Sequence, residues 1–281
     1  MNHNYFTEKD VERLEEQAVQ IRKDIISMIH KAKAGHPGGS LSAVEIVTAL
    51  YFHILNIDPQ NPDWPDRDRF VLSKGHACPV VYSALARRGF FDVKHLDTLR
   101  EYGSILQGHP DMHKCPGFDM STGSLGNGLS TAVGMALSAR LHHQDYMTYV
   151  LLGDGEIQEG LVWEAAMAAS HHGLKNLIAI VDCNGVQING WTNDIMRVEP
   201  IADKWRAFGW NVVETNGHNM KDVLTAFHTA RTMRHNTVIL ARTVKGRGVS
   251  FMEDDCAWHG AAPDEEQMVQ AIAEIGEGGV V

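Results

Sequence analysis

From residue 148 onward the chain alternates short, near-continuous apolar runs with amphipathic stretches, and few folds accept that pattern. Residues 148–152, 177–181, 211–214 and 237–241 read as strands, with helices at 160–171, 200–208 and 221–234 between them. A strand that is apolar along its whole length is buried on both faces, so the expectation is an α/β fold. Its sheet is doubly wound and mostly parallel, with helices on both faces. Ligands of such sheets bind outside the carboxyl ends of the strands, which gives weight to any motif that follows a strand.

The first half reads differently. Thr7 followed by Asp10 resembles a helix N-cap with an acidic first turn. Val11, Leu14, Ala18, Ile21, Ile25 and Ile29 then recur at helical spacing, predicting a helix to about Ala34 that stops at Gly35. A second helical pattern covers 42–54, Pro59, Pro62 and Pro65 mark a loop, and 70–72 is a short buried strand. Helices are expected at 78–88 and 93–102, then a glycine-rich loop over 103–128 and a helix at 129–142. No internal repeat or linker divides the 281 residues, which are read as a single domain with a short tail from about residue 265.

Composition removes several function classes. A formal net charge of −10 and the lack of any Lys/Arg-rich run argue against sequence-independent nucleic-acid binding, which needs phosphate neutralisation. No apolar run approaches the ~20 residues of a membrane span, and the polar start at Met1 does not read as a signal peptide. Cys78, Cys115, Cys183 and Cys256 are far apart with no C-x-x-C pair, which argues against zinc or a disulfide framework and for a reducing cytoplasm.

Two strand ends carry the sharpest local signal. Gly153-Asp154-Gly155-Glu156 follows one strand, and the next ends in Val181-Asp182-Cys183-Asn184. Asp154 and Asn184 both offer oxygen, the donor that magnesium and calcium prefer, and the flanking glycines let backbone approach a ligand closely. A backbone carbonyl just past Asn184, that of Val186, completes the donor set. An isolated Gly-Asp-Gly is more often only a turn; the asparagine after the following strand reverses that balance.

The remaining motifs narrow the choice. Gly35-His36-Pro37-Gly38-Gly39-Ser40, Ser73-Lys74-Gly75-His76-Ala77, Gln107-Gly108-His109-Pro110, Gly123-Ser124-Leu125-Gly126-Asn127-Gly128 and Trp258-His259-Gly260 follow one another along the chain. With the Asp154 and Asn184 pair, this order resembles the N-terminal, diphosphate-binding part of transketolases, over nearly the whole chain. The resemblance implies the thiamine diphosphate-binding fold, with thiamine diphosphate and Mg2+ or Ca2+ as cofactors. It implies transfer of a two-carbon ketol unit from a ketose phosphate to an aldose acceptor. Asp154, Asn184 and the Val186 carbonyl are then the metal ligands, and His76 and Gly155 contact the diphosphate. Gly123 and Leu125 line the ring pocket, and Ile188 packs on the thiazolium. His36, His109 and His259 face the substrate, where imidazole suits hydrogen bonding and proton transfer near neutral pH.

Each of these residues has a blander reading, histidines as loop anchors and Leu125 and Ile188 as core. Ser124 and Asn127 depart from the proline and glutamine frequent in the family. An acid equivalent to Glu159 lies at the family's subunit interface, and His218 is a lesser candidate. Lys245 either contacts substrate or neutralises Glu253-Asp254-Asp255. Because the resemblance stops before the pyrimidine-binding domain and its activating glutamate, it implies a partner: a C-terminal transketolase subunit, in a cytoplasmic heterotetramer acting on sugar phosphates. Trp163, Trp191 and Trp210 are candidates for that interface, and each is equally a candidate for the core. A deoxyxylulose-phosphate-synthase-like or dehydrogenase-type subunit, or a non-catalytic cofactor-binding subunit, are the competing readings.

Overall fold

In the computed structural model, which describes residues 6–277, Thr7 caps the first helix, α1 (Glu8–Ala32). Its hydroxyl accepts the Asp10 N–H at 3.3 Å while the Asp10 carboxylate accepts the Thr7 N–H at 2.9 Å, so two otherwise orphaned amides are satisfied. Lys33, in the left-handed region, ends the helix. Pro37 opens α2 (Pro37–Leu41), followed by α3 (Val44–Ala49) and one π-helical turn, Leu50–Ile54.

The chain then alternates as expected. It runs through β1 (Arg69–Leu72), α4 (Cys78–Arg88), α5 (Asn127–Leu141), β2 (Thr148–Gly153), α6 (Gly160–His172) and β3 (Leu177–Cys183). A two-stranded hairpin, β4 (Val186–Gln187) with β5 (Gly190–Trp191), leads to α7 (Thr192–Ile195) and α8 (Ile201–Ala207). β6 (Asn211–Asn216), α9 (Met220–Thr232), β7 (Thr237–Arg242) and α10 (Glu265–Glu277) complete it.

β1, β2, β3, β7 and β6 lie side by side in that order, all parallel. The period-two rule sorts their side chains between two cores. Tyr149, Leu151, Ile178, Ile180 and Ile239 join the side chains of α1, α3, α4 and α9, whereas Val150, Leu152, Ala179, Val181 and Leu240 join those of α5, α6 and α8. Each valine, leucine or isoleucine among them contributes about 1.5–3 kcal/mol by leaving water, which is why near-continuous apolar strands need helices on both sides.

Two expectations are corrected. The helix expected over 93–102 is only a 3-10 segment, Val93–Thr98, because Val93, Leu96 and Leu99 repeat every three residues and Arg100 adopts φ 64°. The stretch from residue 265 is α10, with Ala271 and Ile275 buried in the same core as α1. The hairpin and α7 are too short to leave a periodic trace in sequence. Met1 and Val281 lie outside the described residues. Among the described residues no helix is long and apolar enough to cross a membrane, and all four cysteines are free.

Candidate functional site

The carboxyl ends of β1, β2, β3 and β7 open onto a cavity of about 340 Å³. Lys74 and His76 follow β1, Asp154 and Gly155 follow β2, Asn184 and Val186 follow β3, and Lys245 follows β7; all of them line it. His36, Gly123, Leu125, Ile188 and His259 line it as well, and the His109 ring centroid lies 6.2 Å from that of His36. The fold thus places the oxygen donors, the glycines, Leu125, Ile188 and the histidines at 36, 76 and 259 around one cavity, with His109 beside His36.

The oxygen donors are joined through the backbone. Asp154 Oδ1 accepts the Gly155 N–H at 2.8 Å and Oδ2 accepts the Gly185 N–H at 2.6 Å, tying the loop after β2 to the loop after β3. Asn184 Oδ1 accepts the Val186 N–H at 3.1 Å, and its amide donates to Asp182 Oδ2 at 3.1 Å. Burial, and then the neighbouring Asp182 charge, push the Asp154 carboxyl up to about 6. It is a buried carboxylate short of positive charge, the condition a bound cation relieves. Among the described residues no three His, Cys, Asp or Glu side chains converge on a metal position. A divalent metal here would be held by one carboxylate, an amide and a carbonyl, oxygen donors that suit a hard ion.

Two lysines that sequence reading left unassigned or open prove central. Lys74 is 2% exposed, ion-paired to the fully buried Asp182 and bonded to the Gly39 carbonyl at 2.7 Å. Asp182 also accepts from Ser42 Oγ at 2.6 Å and from Thr243. Burial alone would raise its carboxyl, but Lys74, Ser42 and Thr243 outweigh that and hold it below the usual carboxylate range. Lys245 Nζ donates to the Val186 carbonyl and to His259 Nδ1, both at 3.0 Å. Burial, and then the Lys74 charge, bring its ammonium down to about 8. Lys245 therefore belongs to the cavity; towards the acidic run its backbone carbonyl accepts the Asp254 N–H.

The histidines form one cluster. His36 and His76 stand 5.2 Å apart between ring centroids, His36 and His259 5.5 Å, and His76 and His259 5.2 Å. His36 Nδ1 is buried without a partner, an orphan polar atom of the kind a ligand satisfies. Burial, then Arg100, His109 and Lys245, bring His36 down to about 4; burial, then Lys245, do the same for His259. Burial also lowers His76 and, with Arg100, His109. All four are neutral at pH 7. A histidine that titrates lower when folded than when unfolded contributes stability that is full above its unfolded value and is lost as pH falls through its folded value. These histidines therefore contribute a fall in melting temperature from about pH 6.5 towards pH 4. A His36→Asn, His259→Asn double variant should show a shallower fall over that window.

The cradle is shaped by glycine and by Glu156. Gly123 has φ 147°, and a Cβ there would sit 3.0 Å from the His109 ring. The Glu156 carboxylate accepts from Ser73, from the Gly126 N–H at 2.9 Å and from the Gly153 N–H at 3.0 Å, pinning the loop before α5 to the ends of β1 and β2. Gly128 lies against this junction: a Cβ would come within 2.8 Å of Ser73 Cα. Gly128→Ala is expected to cost about 1–3 kcal/mol in thermal or denaturant unfolding.

Other candidates fall elsewhere. His218 bonds Glu45 and the Val244 N–H, outside the cavity lining. Glu159 is exposed at the start of α6, on the cavity rim. Of the three tryptophans proposed for an interface, Trp210 is core, donating to the Ala166 carbonyl at 2.9 Å, and Trp163 is half-buried against Trp205 and Phe208. Only Trp191 is substantially exposed, at 48%. Ile188, 62% exposed, is a cavity wall rather than core.

The sequence profile described as "Transketolase, thiamine diphosphate binding domain" matches residues 14–277. The chain belongs to the transketolase family. It is 46% identical over 268 residues to an apulose-4-phosphate transketolase subunit of Phocaeicola vulgatus, covering 95% of each chain. It is 48% identical over 263 residues to the 6-deoxy-6-sulfo-D-fructose transketolase subunit SqwG of Clostridium sp. (strain MSTE9), covering 93% of this chain and 96% of that one. Transketolase from Campylobacter jejuni superposes with a TM-score of 0.90 at 34% identity, over 95% of this chain and 43% of that one. The chain thus spans less than half the length of that solved transketolase and nearly the whole of the two named subunits. The α/β fold and the thiamine diphosphate-binding class expected from sequence are established. The transketolase cavity fits a metal-held diphosphate: oxygen donors at Asp154, Asn184 and Val186, ammonium groups at Lys74 and Lys245, and bare backbone at Gly39, Gly123, Gly153 and Gly155.

Proposed function

We propose that this chain is the diphosphate-side subunit of a two-polypeptide transketolase. It moves a two-carbon ketol unit from a ketose to an aldose acceptor. The supporting observation is the convergence, at one set of strand ends, of the Asp154–Asn184–Val186 oxygens, two buried lysines and four neutral histidines. The whole chain acts as one domain. Its partner, a C-terminal transketolase subunit, supplies the pyrimidine-binding domain and the activating glutamate. Two copies of each form a heterotetramer in the cytoplasm. The metal is Mg2+ or Ca2+.

Thiamine diphosphate, when bound, supplies the nucleophilic carbon that allows the bond beside the ketose carbonyl to break. The chain's own residues do the rest. Lys74 and Lys245 neutralise diphosphate charge that the divalent ion leaves uncompensated. Leu125 and Ile188 give an apolar wall that excludes water from the ring site. His36, His109 and His259 hydrogen-bond sugar hydroxyls and carry protons; held neutral, each offers one donor and one acceptor nitrogen. His259 accepts from Lys245 at Nδ1, which leaves its proton on Nε2. The relatives named for apulose 4-phosphate and 6-deoxy-6-sulfo-D-fructose support a donor ketose with an anionic group remote from its carbonyl.

The test is ketol transfer with thiamine diphosphate and Mg2+, from xylulose 5-phosphate or those two sugars to ribose 5-phosphate. The chain is assayed alone and then with its companion polypeptide. Turnover only in the mixture is expected; turnover by the chain alone would overturn the two-chain reading. Full turnover of the mixture with His36→Ala and His259→Ala would remove the catalytic role of these histidines.

A further inference from the structure

Outside the cavity lining, the buried Arg22 and Glu45 and the nearly buried His218 form a directional chain that ends on the backbone next to Lys245. The Arg22 guanidinium meets Glu45 Oε1 at 2.6 Å, with both side chains less than a tenth exposed. Glu45 Oε2 lies 3.0 Å from His218 Nδ1, and His218 Nε2 lies 2.7 Å from the Val244 amide nitrogen. A backbone N–H only donates, so Nε2 must carry a lone pair; Nδ1 then holds the proton and gives it to Glu45, a carboxylate kept ionised by Arg22. Burial alone would raise the Glu45 carboxyl, yet Arg22 and His218 outweigh it and hold it low. Arg22 also donates from Nε to the Arg247 carbonyl at 3.2 Å, so the same guanidinium grips the segment on the far side of Lys245. Around the lysine itself, the Gly246 N–H reaches the Gly38 carbonyl at 3.1 Å, and a Cβ on Gly38 would sit 3.0 Å from Lys245 Cγ. The lysine stem therefore runs through a narrow slot, and a shift of its backbone has no slack to absorb it.

The geometry points to Arg22, Glu45 and His218 as a positioning relay that fixes the 243–247 segment and thereby aims the Lys245 ammonium at the ligand anion. It touches neither substrate nor cofactor and acts only through Lys245. The inference rests on the diphosphate reading of the cavity and adds to it a set of three side chains from α1, α3 and the loop after β6.

Two measurements test it. The first is amide exchange, by mass spectrometry, of the peptide covering 243–249 in His218→Ala, His218→Asn and His218→Gln. A glutamine oxygen reaches the place of Nε2 and still accepts from Val244, whereas an asparagine reaches only the place of Nδ1. Faster exchange in the alanine and asparagine variants, with the glutamine variant near wild type, is expected. Equal exchange in all four proteins would overturn the relay, as would equal acceleration in all three variants. The second measurement is calorimetric binding of inorganic diphosphate with Mg2+ to the full chain. His218→Ala is expected to weaken it roughly tenfold, the scale of one lost hydrogen bond to a charged-site backbone, and to have no further effect in a Lys245→Met background. Additive losses would show that His218 acts independently of Lys245 and overturn the proposal while leaving the diphosphate site intact. A wild-type chain that binds no diphosphate would refute the site reading; the exchange comparison then still decides whether the relay holds the segment.

Discussion

Replacing Asp182 with alanine is expected to destabilise the chain by about 3–5 kcal/mol, the cost of leaving a buried charge without its partner. Asp182 is fully buried and accepts from Lys74, Ser42, Thr243 and Asn184. Without it, a lysine only 2% exposed keeps just the Gly39 carbonyl, and several donors lose their acceptor together. At ~2–4 °C per kcal/mol for a chain of this size class, the melting temperature should drop by roughly 10 °C. Lys74→Met should cost less, because Asp182 retains Ser42, Thr243 and Asn184 as donors. Thermal unfolding of the two variants side by side checks the asymmetry; an alanine variant as stable as wild type would show that this pair does not hold the strand ends together.

Asp154→Ala should show the opposite profile. Its carboxyl is already displaced upward by burial and by Asp182, so its removal relieves repulsion that offsets the loss of its bonds to the Gly155 and Gly185 N–H groups, and the ligand-free chain stays about as stable as before. Cofactor binding should collapse. Loss of supporting groups around a metal typically costs 10–100-fold in affinity, and loss of the only carboxylate in the donor set should exceed the upper end of that range. Calorimetry in the presence of Mg2+ and thermal melting in its absence separate the two effects. Tight metal-dependent binding by the alanine variant would move the metal elsewhere.

Much of this was visible in sequence because it depends on periodicity and on strand ends. The four strands from residue 148 onward and α4 appear where apolar runs and capping signals place them. Asp154 and Asn184 were identifiable because each sits just past a strand and the two strands are neighbours. What stayed hidden depends on burial in three dimensions. Nothing in Ser73-Lys74-Gly75 shows that Lys74 reaches Asp182, more than a hundred residues away in the chain. An aspartate closing an apolar strand was the one available hint, since a charge at such a position needs a partner. His218 follows a strand, as site histidines do, but β6 is the edge strand, and its loop reaches Glu45 and Val244 outside the cavity lining. Sequence leaves Trp210 open between interface and core, because nothing in it shows that the indole N–H has a partner in Ala166.

On the proposed function, the strand-end cavity holds a diphosphate through a divalent cation bound at Asp154. The most direct test is calorimetric titration of thiamine diphosphate into the chain together with its companion polypeptide, with Mg2+ and then with a chelator. Saturable binding that disappears on chelation, and is lost in Asp154→Ala, is the predicted result. Binding of equal strength with and without the divalent ion, and unchanged by the substitution, would contradict it.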